Sequence, residues 1–259
     1  MFEDIKSFLW FLLKGPKYYS TLFALILTKI KPTKDSDSHI RIATKWCEER
    51  ASSIGDCLEK IGITFDEESP LLEPFSDEYT ARITKVINDS NSDFGGPGYT
   101  NLIYTICEKL NITNAIETGV AYGWSSAAIL KSLVKKNGTL ISIDMPMLKQ
   151  TDYDLIGIAV EEDLQKSWEL RREPDRFGLP RAIKSIGKKL ELVHYDSDKS
   201  YYGRKWSQEK IWRNLKSGGI FISDDIEDNT AFQEFVVKHN LEYSILKFDG
   251  KFVGVLKKH

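Results

Sequence analysis

An α/β fold is what this sequence predicts: a doubly wound, mostly parallel sheet of seven strands behind an N-terminal helical extension. Three observations predict it. From residue 114 onward, short apolar runs alternate with amphipathic runs of ten or more residues, the rhythm of strand–helix–strand units. Glycines or acids follow several of the apolar runs, and such sheets bind ligands at the carboxyl ends of their strands. The chain closes on "EYSILKFDGKFVGVLKK", two strands about an Asp249-Gly250 turn, which adds an antiparallel edge.

The elements follow in order. "HIRIATKWCEERASSIGDCLEKIG" (39–62) reads as helix, turn, helix, with Ser53 capping the second helix and Gly62 ending it. An acidic stretch turns helical from about Asp77. "DFGGPG" (93–98) is a glycine-rich loop, and a helix follows from Tyr99 to Leu110. "AIET" is the first strand, "SSAAILKSLVKK" a helix, "TLISID" the second strand and "WELRRE" the third. "LELVHYD" is the fourth strand, "KWSQEKIWRNLK" a helix, "GGIFISDD" the fifth strand and "TAFQEFVVKHN" a helix. Two units result, a helical region over 1–90 and the α/β domain over 91–259.

The bulk composition excludes more than it assigns. A chain of 259 residues, 41% hydrophobic, can bury one large core. A net charge of -2 offers nucleic acid no basic footprint. Cys47, Cys57 and Cys107 are an odd set without metal-like clustering, which fits a reduced, cytoplasmic setting. Residues 1–34 hold six lysines against Glu3 and Asp4. Their apolar runs are broken at Lys14-Gly15-Pro16 and are too short for a membrane span of about 18–20 residues. Two readings stay open for residues 1–30. One is packing on the body or on a second subunit of a homo-oligomer. The other is peripheral contact with the inner membrane face, lysines toward anionic lipid.

"ETGVAYGWSS" (117–126) joins the first strand to its helix. Gly119 and Gly123 permit a tight turn and close backbone approach. The spacing is not that of a dinucleotide fingerprint, and no phosphate-binding lysine follows. The loop suits a ligand with a carboxylate at the backbone, beside Ser125, and a cationic amine near Glu117. Asp144 ends the second strand, where an acid can grip both hydroxyls of a ribose.

Acids end two more strands. "YDSDKSYYG" carries Asp196, Asp198 and Lys199; "SGGIFISDDIEDN" carries Asp224 and Asp225. Like charges near a core repel and lose hydration, so something positive should sit among them.

Together "AIETGVAYGWSS", "LISIDMP", "LVHYDSDKSYYG" and "LKSGGIFISDDIEDNTAFQEF" resemble class I S-adenosylmethionine-dependent methyltransferases, over about residues 90–259. The acid-bearing pieces are similar to bacterial sugar- and antibiotic-tailoring O-methyltransferases and to metal-dependent catechol-type enzymes. The resemblance implies a Rossmann-like methyltransferase fold and S-adenosylmethionine on Glu117, Gly119, Gly123, Ser125 and Asp144, with Glu173 or Asp175 against the adenine. It implies a divalent ion such as Mg²⁺ on Asp196, Asp224 and Asp225. Lys199 takes the place of the general base, with His194 as the alternative, and Asp196 joins the catalytic set. The acceptor implied is a hydroxyl of a sugar or glycan-like small molecule. The competing readings are a metal-independent N- or O-methyltransferase and a non-catalytic membrane-surface protein on the same scaffold. At single residues, Lys199 could instead pair only with Asp198, Asp225 could cap a helix, and His194 could be a packed core residue. Acceptor contacts are expected in the N-terminal region and in residues 145–165, read as a lid.

Overall fold

The computed structural model describes residues 34–68, 71–90, 92–146 and 153–259, together with Leu9, Leu12, Leu13, residues 15–19, Leu22, Phe23 and Ile26. Seven strands lie within them: β1 Asn114–Thr118, β2 Thr139–Ile143, β3 Trp168–Arg171, β4 Leu192–Tyr195, β5 Ile220–Ser223, β6 Ser244–Phe248 and β7 Lys251–Lys257. They form one sheet in the order β3-β2-β1-β4-β5-β7-β6. β1 to β5 pair in parallel, while β7 runs antiparallel to both β5 and β6. The strand order reverses between β1 and β4. That switch point opens a crevice at the carboxyl ends, where this architecture binds ligands.

Strands β1, β2, β4 and β5 place apolar residues on both faces because helices cover both. Ala115, Leu140, Leu192 and Ile220 point to one core, and Ile116, Ile141, Val193 and Phe221 to the other. The first core is closed by helices α2 Ile54–Lys60, α3 Asp77–Asn88, α4 Thr100–Lys109 and α5 Trp124–Leu133. The second is closed by α1 Asp37–Glu48, α6 Asp175–Ile186, α7 Tyr201–Asn214 and α8 Ala231–Lys238. The N-terminal helices therefore pack directly on the sheet. Ser53 caps α2 by accepting from the Asp56 amide, and Ser76 caps α3 by accepting from Tyr79.

Two local results differ from the sequence reading. The sequence reading places no helix between the third and fourth strands, but Asp175–Ile186 form α6, which accommodates Pro180 inside its length. Helix α7 starts four residues earlier than expected, because the Ser200 hydroxyl accepts from the Gly203 amide and caps it there. The stretch 145–165, expected as a lid, is described at 145–146 and from 153 onward. There it forms short 3₁₀ turns at Tyr153–Leu155 and Glu162–Ser167.

The expectation for residues 1–30 falls mostly outside the described residues. Among those described, Tyr18 and Leu22 are buried and pack with Met145, while Leu13 and Phe23 are exposed. No helix among the described residues is long and apolar enough to cross a membrane.

Candidate active site

A cavity of about 940 Å³ opens at the switch point. That is near the upper end of the range for small-molecule sites, roughly 300–1,000 Å³. Its floor is the glycine loop after β1 and the acids after β4 and β5. Its walls are the 93–99 loop, the start of α6 and the turn between β6 and β7.

The glycine loop is shaped by two close approaches. Gly119 has φ +82°, and a Cβ there would lie 2.1 Å from the backbone oxygen of Asp196. No side chain fits between the β1 and β4 ends. Gly123, at φ +84°, packs on Gly157, whose Cα would lie 2.7 Å from an added Cβ. Gly119 and Ser125 line the cavity; Gly123 serves the loop's packing from behind it.

Asp144 also lines the cavity, and its Oδ2 accepts from the amides of Val120 (2.9 Å) and Ala121 (3.3 Å). The acid ending β2 thus latches the loop that ends β1. Its other oxygen lies 3.6 Å from the Arg172 guanidinium.

Glu117 departs from expectation. It is fully buried and does not line the cavity. Its carboxylate accepts from Ser126 Oγ (2.5 Å) and Ser142 Oγ (2.8 Å), and its Oε1 lies 3.4 Å from His194 Nδ1. A buried carboxylate persists only with such partners. The Glu117 carboxylate, expected to face a cationic amine, is turned to this internal set.

Of the two adenine-side candidates, Asp175 lines the cavity and Glu173 does not. Glu173 is buried and ion-paired with Arg181 at 2.8 Å. Asp175 accepts from Ser197 Oγ, which also contacts Thr118 Oγ1 at 2.8 Å. Burial pushes the Asp175 carboxyl up to about 6, against the Ser197 hydrogen bond.

The acids after β4 and β5 come together as expected, and the positive charge among them is supplied by side chains. Lys199 lies 3.1 Å from Asp196 Oδ1 and hydrogen-bonds Asp225 Oδ2. Lys251, at the start of β7, lies 2.9 Å from the other oxygen of Asp225. His194 Nε2 lies 3.2 Å from Asp224 Oδ2. Arg204, fully buried in α7, donates to the backbone carbonyls of Asp224 (2.9 Å) and Asp225 (2.8 Å). It thereby supports Asp225 at φ +51°, a conformation rare outside glycine and Asn/Asp. Asp198, which could have held Lys199, accepts instead from the Ser200 amide and hydroxyl. Asp225 caps no helix through its side chain.

These contacts set the charges. Burial pulls Lys199 down, but Asp196 and Asp225 outweigh it and hold the ammonium well above its ordinary value. Burial likewise pulls His194 down, and Asp224 and Glu117 more than reverse it, so the ring holds its proton well above the ordinary histidine range. Burial and the nearby Asp224 push Asp196 up to about 6. Asp225 goes the other way: burial raises it, and hydrogen bonds from Lys199 and Lys251 bring it below its usual value.

The expected three-carboxylate metal centre is not assembled among the described residues. No three acids, histidines or cysteines come together there in ligating geometry. Both oxygens of Asp225 are taken by lysines. As arranged, the donor set does not fit a cation held by all three aspartates.

Sequence reasoning missed Lys251, Arg204, Ser126 and Ser142. Lys251 neighbours Asp225 only because β7 runs antiparallel beside β5, with Gly254 opposite Ser223. That pairing is a matter of strand order rather than of any local motif.

Residues 116–226, from within β1 to just past β5, match the family model described as a methyltransferase domain. Over that segment the chain is similar to methyltransferase domains. Its fold is that of several solved methyltransferases. One is an O-methyltransferase from Bacillus cereus in complex with SAH, at 14% identity and TM-score 0.55, covering 82% of this chain and 100% of that one. A second is the O-methyltransferase TomG from Streptomyces achromogenes, involved in tomaymycin synthesis and solved with SAM. It stands at 12% identity and TM-score 0.55, covering 71% and 92%. A third is a methyltransferase from Geobacter sulfurreducens, at 13% identity and TM-score 0.55, covering 73% and 92%. At these identities the likeness is one of fold. No curated protein sequence matches the chain significantly. The matched segment contains both halves of the cavity floor, the glycine loop and the lysine-bridged acids.

Proposed function

We propose that the protein transfers the methyl group of S-adenosylmethionine to a hydroxyl of a sugar-like small molecule. The cofactor lies along the glycine loop, Ser125 and Asp144, with its adenine toward Asp175. The observation that carries this reading is Lys199 fixed between Asp196 and Asp225 on the cavity wall. In-line displacement at the sulfonium carbon breaks the carbon–sulfur bond and forms a carbon–oxygen bond. The protein supplies alignment and help with the hydroxyl proton.

Lys199, held as an ammonium by two carboxylates, is poorly placed to be the base. It is a fixed positive charge where negative charge grows on the acceptor oxygen. Asp196, pushed up to about 6, takes the proton. The cavity exceeds the needs of one cofactor. Phe94, Tyr99 and Phe248 offer ring faces, and Asp93 and Asp249 offer acceptors, a lining suited to a polyhydroxylated ring.

A second reading places a divalent cation at the same acids. It is favoured by Asp224 Oδ1, buried without a hydrogen-bond partner among the described residues, and by Asp196 Oδ1, whose lysine contact is not aligned as a hydrogen bond. Asp225 would have to release both lysines to join them.

The test is transfer of labelled methyl to methyl glycosides and to catechol, with and without chelator. The first reading expects a glycoside to be methylated at full rate in chelator. Loss of transfer in chelator with recovery in Mg²⁺ selects the second, and methylation of neither hydroxyl probe overturns both.

A further inference from the structure

A row of buried polar side chains crosses the sheet one residue short of the strand ends. Register places Ser142 of β2 and His194 of β4 opposite Glu117 of β1, on the same face. Trp168 of β3 extends the row by donating from Nε1 to Ser142 Oγ at 2.9 Å. Asp224 extends it past the end of β5, two residues beyond Ile222, which pairs with His194. Trp168, Ser142, Glu117, His194 and Asp224 thus connect four parallel strands and the residue just past a fifth. Apolar residues would fit this face, which elsewhere carries Ala115, Leu140 and Leu192. A polar row within a core needs every member partnered, and it fixes positions where apolar packing would leave choice.

The member that joins its two ends is His194. Nδ1 faces Glu117, whose strand leads into the glycine loop, and Nε2 holds Asp224 on the cavity wall. The rest of the row holds Glu117 without it, through Ser126 and Ser142. Among the described residues no other side chain bonds the Asp224 carboxylate, whose Oδ1 is buried and unpartnered there. We propose that His194 is a positioning residue, fixing the Asp224 carboxylate against the cofactor strand and so aligning the acceptor wall with the methyl donor. This rests on the reading that the acids after β4 and β5 form the acceptor side.

The two ring nitrogens allow the role to be dissected. His194→Gln places an amide nitrogen near the position of Nε2 and keeps the Asp224 contact. His194→Asn places one near Nδ1 and keeps only the Glu117 side. His194→Phe keeps neither and retains an apolar ring, so it replaces the Asn variant should that fail to fold. Three readouts on the full chain decide: SAH affinity by calorimetry, crystal structures of the SAH complexes, and methyl transfer to a glycoside or catechol probe. SAH affinity should stay within about threefold in all variants, because Glu117 keeps its two serine donors. In the Gln variant Asp224 should hold its place with kcat within about threefold. In the Asn or Phe variant Asp224 should turn away and kcat should fall about tenfold or more. Equal rates in the Gln and Asn variants, or Asp224 unmoved in the Asn variant, overturn the proposal. Should wild type methylate neither probe, the functional reading fails by itself, and the place of Asp224 in the two structures still decides the role of His194.

Discussion

The two halves of the cavity floor hold their acids by opposite means. On the β1–β2 side, Asp144 is held mainly by backbone amides, and Glu117 largely by serine hydroxyls. On the β4–β5 side, Asp196 and Asp225 share Lys199, Asp225 adds Lys251, and Asp224 faces His194. The first half is a shaped backbone with neutral donors. The second is a cluster of charges in balance. A shaped backbone tolerates little added volume, whereas a charge cluster is sensitive to the sign of each member. The two halves should therefore fail differently.

The largest effect is expected at the junction of the halves. Gly119→Ala puts a methyl group 2.1 Å from the Asp196 carbonyl at a φ of +82°. The loop must move, and SAH binding should disappear in calorimetry, with stability falling by about 1–3 kcal/mol from backbone strain. Undiminished binding would mean the loop does not hold the cofactor. Next in size is Asp144→Ala. It frees the Val120 and Ala121 amides and should weaken SAH binding by about 1–3 kcal/mol, the scale of charge-assisted hydrogen bonds.

The charged half should show itself in pH dependence. Asp196 must be ionised to take a proton, and burial together with Asp224 places its carboxyl at about 6. The kcat of transfer should climb as pH rises through about 6 and level off above it. A climb at far higher pH would return the base role to Lys199, which is held above its ordinary value. Stability should run the other way. The folded carboxyl of Asp196 lies above the unfolded one, so the folded state binds more protons between about 4 and 6, and this group's contribution is lost as pH rises through that window. Asp196→Asn should accordingly raise the melting temperature at pH 8, by about 2–4 °C for each kcal/mol in a chain this size, and not at pH 4. An equal shift at both pH values would mean that repulsion is not what Asp196 contributes.

The alternation of strands and helices was legible because apolar runs of four or five residues, bounded by turn residues, have few other uses. Asp144, Asp196, Asp224 and Asp225 could be found for a related reason: an acid directly after an apolar strand is out of place unless it faces a site. Helix α6 was not legible, since Gly178 and Pro180 argue locally against helix; packing of Leu179, Ala182 and Ile183 on the sheet overrides them. The partners of the acids were hidden for another reason. Ser142 and His194 lie inside apolar strands, and only register sets them beside Glu117. Glu117 itself reads as a cavity residue from its place before the glycines. Strand alternation instead turns it toward the helix side, where Ser126 of α5 meets it.

The separation of the two halves is tested most directly by Lys199→Met, which keeps the side chain's length and removes its charge. SAH affinity and the rate of methyl transfer would be measured on the same preparation. SAH should bind within about threefold of wild type, because the cofactor half does not use Lys199, while kcat should fall by about 10²–10³-fold, as when one preorganised stabilising group is lost. A parallel loss of SAH affinity and rate, or an unchanged rate, would contradict the account.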